Sequence, residues 1–172
     1  MKNWRKYSIS GAALLFMAFC QPAMVTAQTQ TSILAGAELS RVVPPGFYFQ
    51  GLSAPTQMRN AAAARFRGDR YLIAGLVDTS GYAADVRSKY EGFIITDTDI
   101  TINGESLGVG AYGFGFSNDG KLNIMDLAGN QILSVASTKD SKLKRPRPLT
   151  MSLDGQGIRL YSRRDYALIS PK

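Results

Sequence analysis

The chain has 172 residues, of which 20 are basic and 13 acidic, and it contains no histidine and a single cysteine, Cys20. Without histidine, and without cysteine after position 20, it cannot form a Ser-His-Asp or Cys-His catalytic arrangement or a zinc site built on imidazole or thiolate groups. Catalysis could then rest only on carboxylates, Lys, Tyr or Ser, and oxygen ligands could still bind a hard cation. Our expectation is a non-catalytic protein with neither a cofactor nor a metal.

The first 27 residues have the layout of a secretory signal peptide. Lys2, Arg5 and Lys6 precede the apolar run GAALLFMAFC, and the small residue Ala27 stands before the expected cleavage point. This predicts an exported protein, periplasmic or extracellular, whose mature chain has no cysteine and no disulfide. No later apolar run reaches the roughly 20 residues of a transmembrane helix, so we expect no membrane span.

Cleavage of the signal peptide would remove its three basic residues from the chain. The mature chain would then carry only a mildly positive net charge, which does not favour nucleic acid as a partner.

Residues 28–45 are predicted to be a flexible or weakly helical lead-in to a single β-rich domain spanning residues 46–172. Pro44 and Pro45 exclude a helix at the end of the lead-in, and the aromatic run at 47–49 predicts the first strand of the domain.

The next part of the chain mixes strand and helix signals. Residues 53–61 predict a loop or short turn, and residues 62–77 predict a hairpin whose turn is the pair Gly68 and Asp69. The run GYAADVRSKYEG predicts one short helix that ends at Gly92.

From Phe93 onward the pattern is almost entirely that of β-strands. Seven short runs rich in β-branched and aromatic residues are separated by turn signals: FIITDTDITI, AYGFGFS, KLNIMDL, QILSVAS, PLTMSL, IRLYSR and YALI. This predicts a mainly β fold in which an antiparallel meander closes into a sandwich or a small barrel, with one or two short helices.

The stretch GVGAYG at residues 108–113 has the Gly-x-Gly-x-x-Gly spacing of a dinucleotide-binding turn. That turn must open a helix, whereas the residues that follow predict a strand, a turn and another strand. We interpret the stretch as part of a strand with two different faces. The aromatic face carries Tyr112, Phe114 and Phe116, and the small face carries Ala111, Gly113 and Gly115. The small face predicts the close approach of a bulky neighbour or, alternatively, of a ligand in a groove.

A basic segment, SKLKRPRPL, concentrates positive charge late in the chain. It contains Lys142, Lys144, Arg145 and Arg147, and its two prolines favour an extended backbone. Rigidly spaced cations suit an anionic surface such as envelope glycan or lipid headgroups. The alternative is a solvated connection, or a charged guard that keeps an edge strand from pairing with other chains.

Further candidate binding residues lie on both sides of this segment. Arg159, Arg163 and Arg164 are expected to extend the positive patch if LTMSL and IRLYSR pair as a hairpin. Tyr112 and Phe114 are the candidate aromatic contacts.

An acidic stretch, EGFIITDTDITINGE, is the last candidate site. If Asp97 and Asp99 share one strand, their side chains lie on one face about 6.5–7 Å apart, which suits a glycosidase pair or an oxygen-ligand cation site. Acids on the solvent face of a half-exposed strand explain the same pattern.

Three functional hypotheses follow. The first is a non-catalytic module that binds an anionic or amphipathic envelope component through the basic segment. The second is a structural or adhesin-like assembly protein that acts by β-strand pairing. The third is a histidine-independent, carboxylate-based hydrolase.

Overall fold

The computed structural model describes residues 30–172, so the predicted signal peptide and Cys20 lie outside the described residues. The helices are α1 (Gly36–Val42) and α2 (Ala84–Arg87). The strands are β1 (Ser32–Ile33), β2 (Gly46–Phe49), β3 (Leu52–Phe66), β4 (Arg70–Val77), β5 (Gly92–Thr96), β6 (Ile100–Ile102), β7 (Glu105–Leu107), β8 (Gly110–Ser117), β9 (Lys121–Met125), β10 (Gln131–Ala136), β11 (Thr138–Lys139), β12 (Arg147–Asp154), β13 (Gly157–Arg163) and β14 (Asp165–Pro171).

These strands form two antiparallel sheets. The first sheet has the order β1-β3-β4-β5-β8-β9-β10, with β2 also paired to β3, and the second has the order β12-β13-β14-β6-β7, with β11 paired to β14. The prediction of a mainly β, antiparallel fold with one or two short helices is confirmed. Within residues 30–172, neither helix has the length and apolar character needed to cross a bilayer.

The main core lies between the two sheets, and strand β12 of the second sheet lies close to β3 of the first. Alternate residues of each strand point inward and are fully or almost fully buried. The first sheet contributes, among others, Phe66, Leu72, Ile94, Phe114 and Ile124, and the second contributes Ile100, Ile102, Leu160 and Ile169. Burial of this apolar surface is the dominant favourable term in folding.

A second apolar cluster covers the outer face of the first sheet. The ring of Phe49 stacks on Tyr90 with 3.9 Å between ring centroids, and Phe47 stacks on Phe93 at 4.8 Å. Helix α1, strand β2 and the segment around α2 supply most of the cover. The middle of the first sheet is thus covered on both faces, whereas its last strand, β10, is largely exposed. The outer face of the second sheet carries the polar residues described below.

The small face of β8 is closely crossed, as the sequence predicts. A Cβ atom built on Gly113 would lie 2.5 Å from the ring of Phe49, and one built on Gly115 would collide with the carbonyl oxygen of Lys89. Strand β8 leads into strand β9 rather than into a helix, so GVGAYG is not a dinucleotide-binding turn.

Two expectations about individual elements are wrong. Residues 53–61 are not a loop, because β3 runs through them, with an irregularity in its pairing to β4 between Thr56 and Ala61. The run FIITDTDITI is not one strand: it divides into β5 of the first sheet and β6 of the second, and the chain crosses between the sheets at residues 97–99.

Candidate functional site

The basic segment forms an exposed loop between β11 and β12, on the second sheet. Lys142, Lys144 and Arg145 are exposed in the loop, and Arg147 is exposed at the first position of β12. A loop that carries only cations at its surface would be costly to order without internal support.

Arg164 supplies part of that support. Its guanidinium group donates hydrogen bonds to the carbonyl oxygens of Leu143, at 2.6 Å, and Ser141, at 3.3 Å. These bonds fix the loop backbone to the β13–β14 turn, where Arg164 lies. Arg164 thus lies beside the basic segment, with its guanidinium group directed to loop carbonyls.

Asp140 anchors the start of the loop. Its carboxylate accepts hydrogen bonds from the backbone N–H of Lys142, at 3.0 Å, and from the hydroxyl of Tyr161, at 3.1 Å. Its own backbone N–H donates to the carbonyl of Arg164 at 2.8 Å. Asp140, Tyr161 and Arg164 together fix the loop backbone and leave the basic side chains facing solvent.

Arg163 lies next to the loop and completes a group of like charges. It is the register partner of Arg147 across the β12–β13 ladder, so two cations face each other on neighbouring strands. Directly opposed like charges destabilise a sheet. We name the five exposed cations the cationic surface: Lys142, Lys144, Arg145, Arg147 and Arg163. Within residues 30–172 none of the five forms an ion pair.

The backbone of Arg163 adds a second unfavourable feature. Ser162 and Asp165 are register partners, so Arg163 and Arg164 form a two-residue turn between β13 and β14. Arg163 has φ 55°, in the left-handed region that favours glycine. Non-glycine residues held in this region cost on the order of 1–3 kcal/mol and cluster at binding and catalytic sites.

Arg159 does not belong to the cationic surface. Its guanidinium group pairs with Asp154 at 2.5 Å and lies 4.7 Å from the ring centroid of Tyr166. The pKa of Asp154 is lowered by the backbone N–H of Gln156 and by Arg159. The positive charge of Arg159 is thus already matched within the protein, although the sequence placed it among the binding residues.

The two aromatic candidates lie on β8, in the first sheet. Phe114 is fully buried in the core between the sheets, so it is a packing residue in this structure and offers no surface to a partner. Tyr112 is partly buried, and its hydroxyl lies 3.0 Å from the carbonyl of Gly108 and 3.3 Å from that of Val109. Burial, with Asp99 nearby, raises its pKa. Neither residue joins the cationic surface.

The acidic candidates lie in the segment where the chain crosses between the sheets. Asp97 and Asp99 follow β5 and precede β6, so they do not share one strand, and the condition for the expected spacing is not met. The carboxylate of Asp97 accepts a hydrogen bond from the backbone N–H of Tyr71 at 2.7 Å, which gives it a structural role at the crossing. Across the described part of the chain, no three acidic, histidine or cysteine side chains are grouped so that they could hold a metal ion.

The support for the loop is what sequence reasoning missed. Asp140 and Tyr161 were not singled out, because their contacts join residues about 20 positions apart. The one local signal is the turn that the sequence predicts at Arg164-Asp165, one residue later than the turn that the structure forms at Arg163 and Arg164. Compared with known proteins, the chain matches no family model, no curated protein and no solved structure.

Proposed function

We propose that the protein is an exported, non-catalytic module that binds an anionic component of the cell envelope through the cationic surface. The observation that carries this proposal is the opposition of Arg147 and Arg163 on neighbouring strands, with no acidic residue paired to either among residues 30–172. An external anion would relieve the repulsion that this arrangement creates.

The support behind the loop strengthens the proposal. Because Arg164 and Asp140 already hold the loop backbone, binding would not have to order it, and less free energy would be lost on association. A loop that serves only as a solvated connection needs no such support.

Edge protection explains the same cations less well. Arg147 lies on β12, the strand at one end of the second sheet, where a charge would discourage pairing with another chain. Arg163, however, is the last residue of β13 and lies in the two-residue turn to β14, and β13 is paired by β12 and by β14. A guard on the edge strand β12 does not account for a cation in this turn.

Assembly by strand pairing is also less well supported. Strand β10 ends the first sheet and has no charged residue, and Ile132 on it is 46% exposed. Its pairing is nevertheless interrupted between Gln131 and Leu133, and its final carbonyl, that of Ala136, already accepts a hydrogen bond from the Asn103 side chain. A bulge and a blocked end are features that discourage pairing with another chain.

The test is co-sedimentation of the purified protein with anionic vesicles, neutral vesicles and anionic cell-wall glycan, at low and high salt. Each cation near an anionic lipid surface contributes on the order of 1 kcal/mol, so replacing the four cations of the basic segment by Gln should weaken binding by several kcal/mol at low salt. High salt should weaken wild-type binding, because the Debye length falls from ~10 Å at 0.1 M to ~3 Å at 1 M.

A matched control tests whether binding depends on the position of the cations or only on the net charge of the protein. Four exposed cations elsewhere, Arg59, Arg67, Arg87 and Lys89, can be replaced by Gln with the same change in net charge. We expect this variant to bind nearly as well as the wild type. Equal partitioning of all three proteins onto every surface would contradict the proposal, and equal loss in the two variants would show that only net charge matters.

A further inference from the structure

A polar cleft opens at one end of the sandwich, beside the cationic surface. Its volume is about 430 Å³, within the usual size of a small-ligand site. It lies between the β8–β9 turn of the first sheet and the β13–β14 turn of the second, and the connection from β10 to β11 passes along its side. Arg163 lines it, so the cleft and the cationic surface share a residue.

The floor of the cleft is where the apolar core ends. The inward-facing residues of β8 end in Phe116, which is partly exposed, and those of β13 end in Ser162. At this end the two sheets therefore present an aromatic ring and a hydroxyl group to the cleft. An aromatic ring offers an apolar surface for the C–H face of a sugar, and a hydroxyl group can donate to or accept from its hydroxyl groups.

The rim of the cleft carries charges of both signs. Lys139 and Arg163 are exposed cations that form no ion pair within residues 30–172. Asp165 is the register partner of Lys139 and also lines the cleft, yet the two form no ion pair there. Asp119, in contrast, is occupied by Lys121 at 3.1 Å and by the hydroxyl of Ser117.

We infer that this cleft binds a sugar unit that carries a phosphate group. The inference rests on the proposed function and makes it more specific, because it assigns the anionic component to glycan rather than to lipid. Lys139 and Arg163 would pair with the phosphate group, and Asp165 and Ser162 would accept or donate hydrogen bonds to sugar hydroxyl groups. The rest of the cationic surface would attract the remainder of a repeating polyanion.

The experiment is a titration of the ¹⁵N-labelled protein followed by backbone amide chemical shifts. The probes are mannose 6-phosphate, mannose and inorganic phosphate. We expect mannose 6-phosphate to bind more tightly than either of the other two and to shift amides in the β8–β9 turn, at residues 137–139 and in the β13–β14 turn. Absence of shifts in these three segments, or equal affinity for inorganic phosphate and mannose 6-phosphate, would overturn the inference.

Two variants assign the roles of the rim residues. Lys139→Gln should weaken the binding of mannose 6-phosphate on the order of tenfold, since it removes a charge-assisted hydrogen bond, and should leave mannose unaffected. Asp165→Asn should weaken the binding of mannose, because it removes a charged hydrogen-bond acceptor, and should weaken that of mannose 6-phosphate less, because it also removes a negative charge beside the phosphate group. Arg70→Gln, at an exposed cation of a different cleft, is the control and should change neither. Loss of mannose 6-phosphate binding in the control to the same extent would overturn the assignment.

The two proposals fail separately. If the protein sediments with anionic vesicles in a salt-dependent manner but its cleft amides do not respond to mannose 6-phosphate, the sugar assignment is wrong and the anionic-surface function stands. If the cleft responds while the four-Gln variant of the basic segment sediments like the wild type, the four cations of that segment do not contribute to binding, and the proposed function through the cationic surface is wrong.

Discussion

Arg163 combines three properties that rarely occur in one residue. It has a backbone conformation that favours glycine, it faces another arginine across a strand ladder, and it lines a polar cleft. The first two properties lower the stability of the folded protein. The third, a place in the lining of the cleft, explains why an arginine would be retained at this position. A residue that costs stability where a binding site needs it is expected when binding and stability compete.

Replacing Arg163 by Gly should therefore separate stability from binding. Gly removes the backbone strain and the repulsion from Arg147, partly offset by the greater freedom of Gly in the unfolded chain. We expect the free energy of unfolding to rise by about 0.5–1 kcal/mol, measured by chemical denaturation. Binding to anionic surfaces should weaken in the same protein. A less stable variant would mean that Arg163 is not strained, and Arg163→Lys is the control that keeps the charge.

Among the elements, strand β8 has glycine at the positions where other parts of the chain pack directly on it. Gly113 lies under the ring of Phe49, which is itself stacked on Tyr90 and fully buried. Gly115 lies under the backbone of Lys89. Neither neighbour has room to move, because the Phe49 ring is held in its stack on Tyr90 and the Lys89 carbonyl is part of the backbone.

Substitution of either glycine by Val should destabilise the protein, although Val is the better strand former. Overpacking of this kind typically costs about 1–3 kcal/mol. We expect Gly115→Val to be the more damaging, because its obstacle is backbone rather than a side chain. Gly155→Ala is the control, since a Cβ at Gly155 meets no atom within 4 Å. Unchanged melting temperatures for both valine variants would show that the small face of β8 is not closely packed.

The elements also show which structural features can be predicted from local sequence pattern and which cannot. Alternation along β8 was sufficient to predict its two faces, because side chains in a strand alternate strictly. Local pattern failed for FIITDTDITI, where both halves have strand character and only pairing partners in different sheets separate them. It failed likewise for Arg164 and Asp140, whose roles depend on contacts between distant residues. The basic side chains of the cationic surface were identified from the sequence, but the structure that supports them was not.

For the molecule as a whole, buried tyrosines link stability to alkaline pH. Burial, with a smaller contribution from neighbouring Tyr82, raises the pKa of Tyr90 well above its ordinary value near 10. Above pH 10 the unfolded chain loses this proton while the folded chain keeps it. The stability that depends on Tyr90 is therefore complete below about pH 10 and falls as pH rises further.

Tyr90→Phe tests this link. The Tyr90 hydroxyl is buried, and its polar neighbour is the Tyr82 hydroxyl, with which it forms no hydrogen bond of good geometry among residues 30–172. Its removal should therefore change stability at pH 7 little. Between pH 10 and 11 the wild type should lose up to about 1.4 kcal/mol more than the variant. Urea unfolding at pH 8 and pH 10.5 measures the difference. Parallel losses in the two proteins would contradict the assignment to Tyr90.

The way the chain divides between the two sheets sets the order in which the protein can become compact during synthesis. All eight strands of the first sheet lie before residue 137, whereas β11 to β14 of the second sheet come after it. A nascent chain of that length can pair the first sheet but has little to cover its inner face, including Phe66, Leu72 and Ile94. Uncovered apolar surface of this kind favours aggregation, and long-range pairing is slow. A chain that stops before β12 should therefore aggregate more readily than the full chain, and the addition of β12 to β14 should restore its solubility.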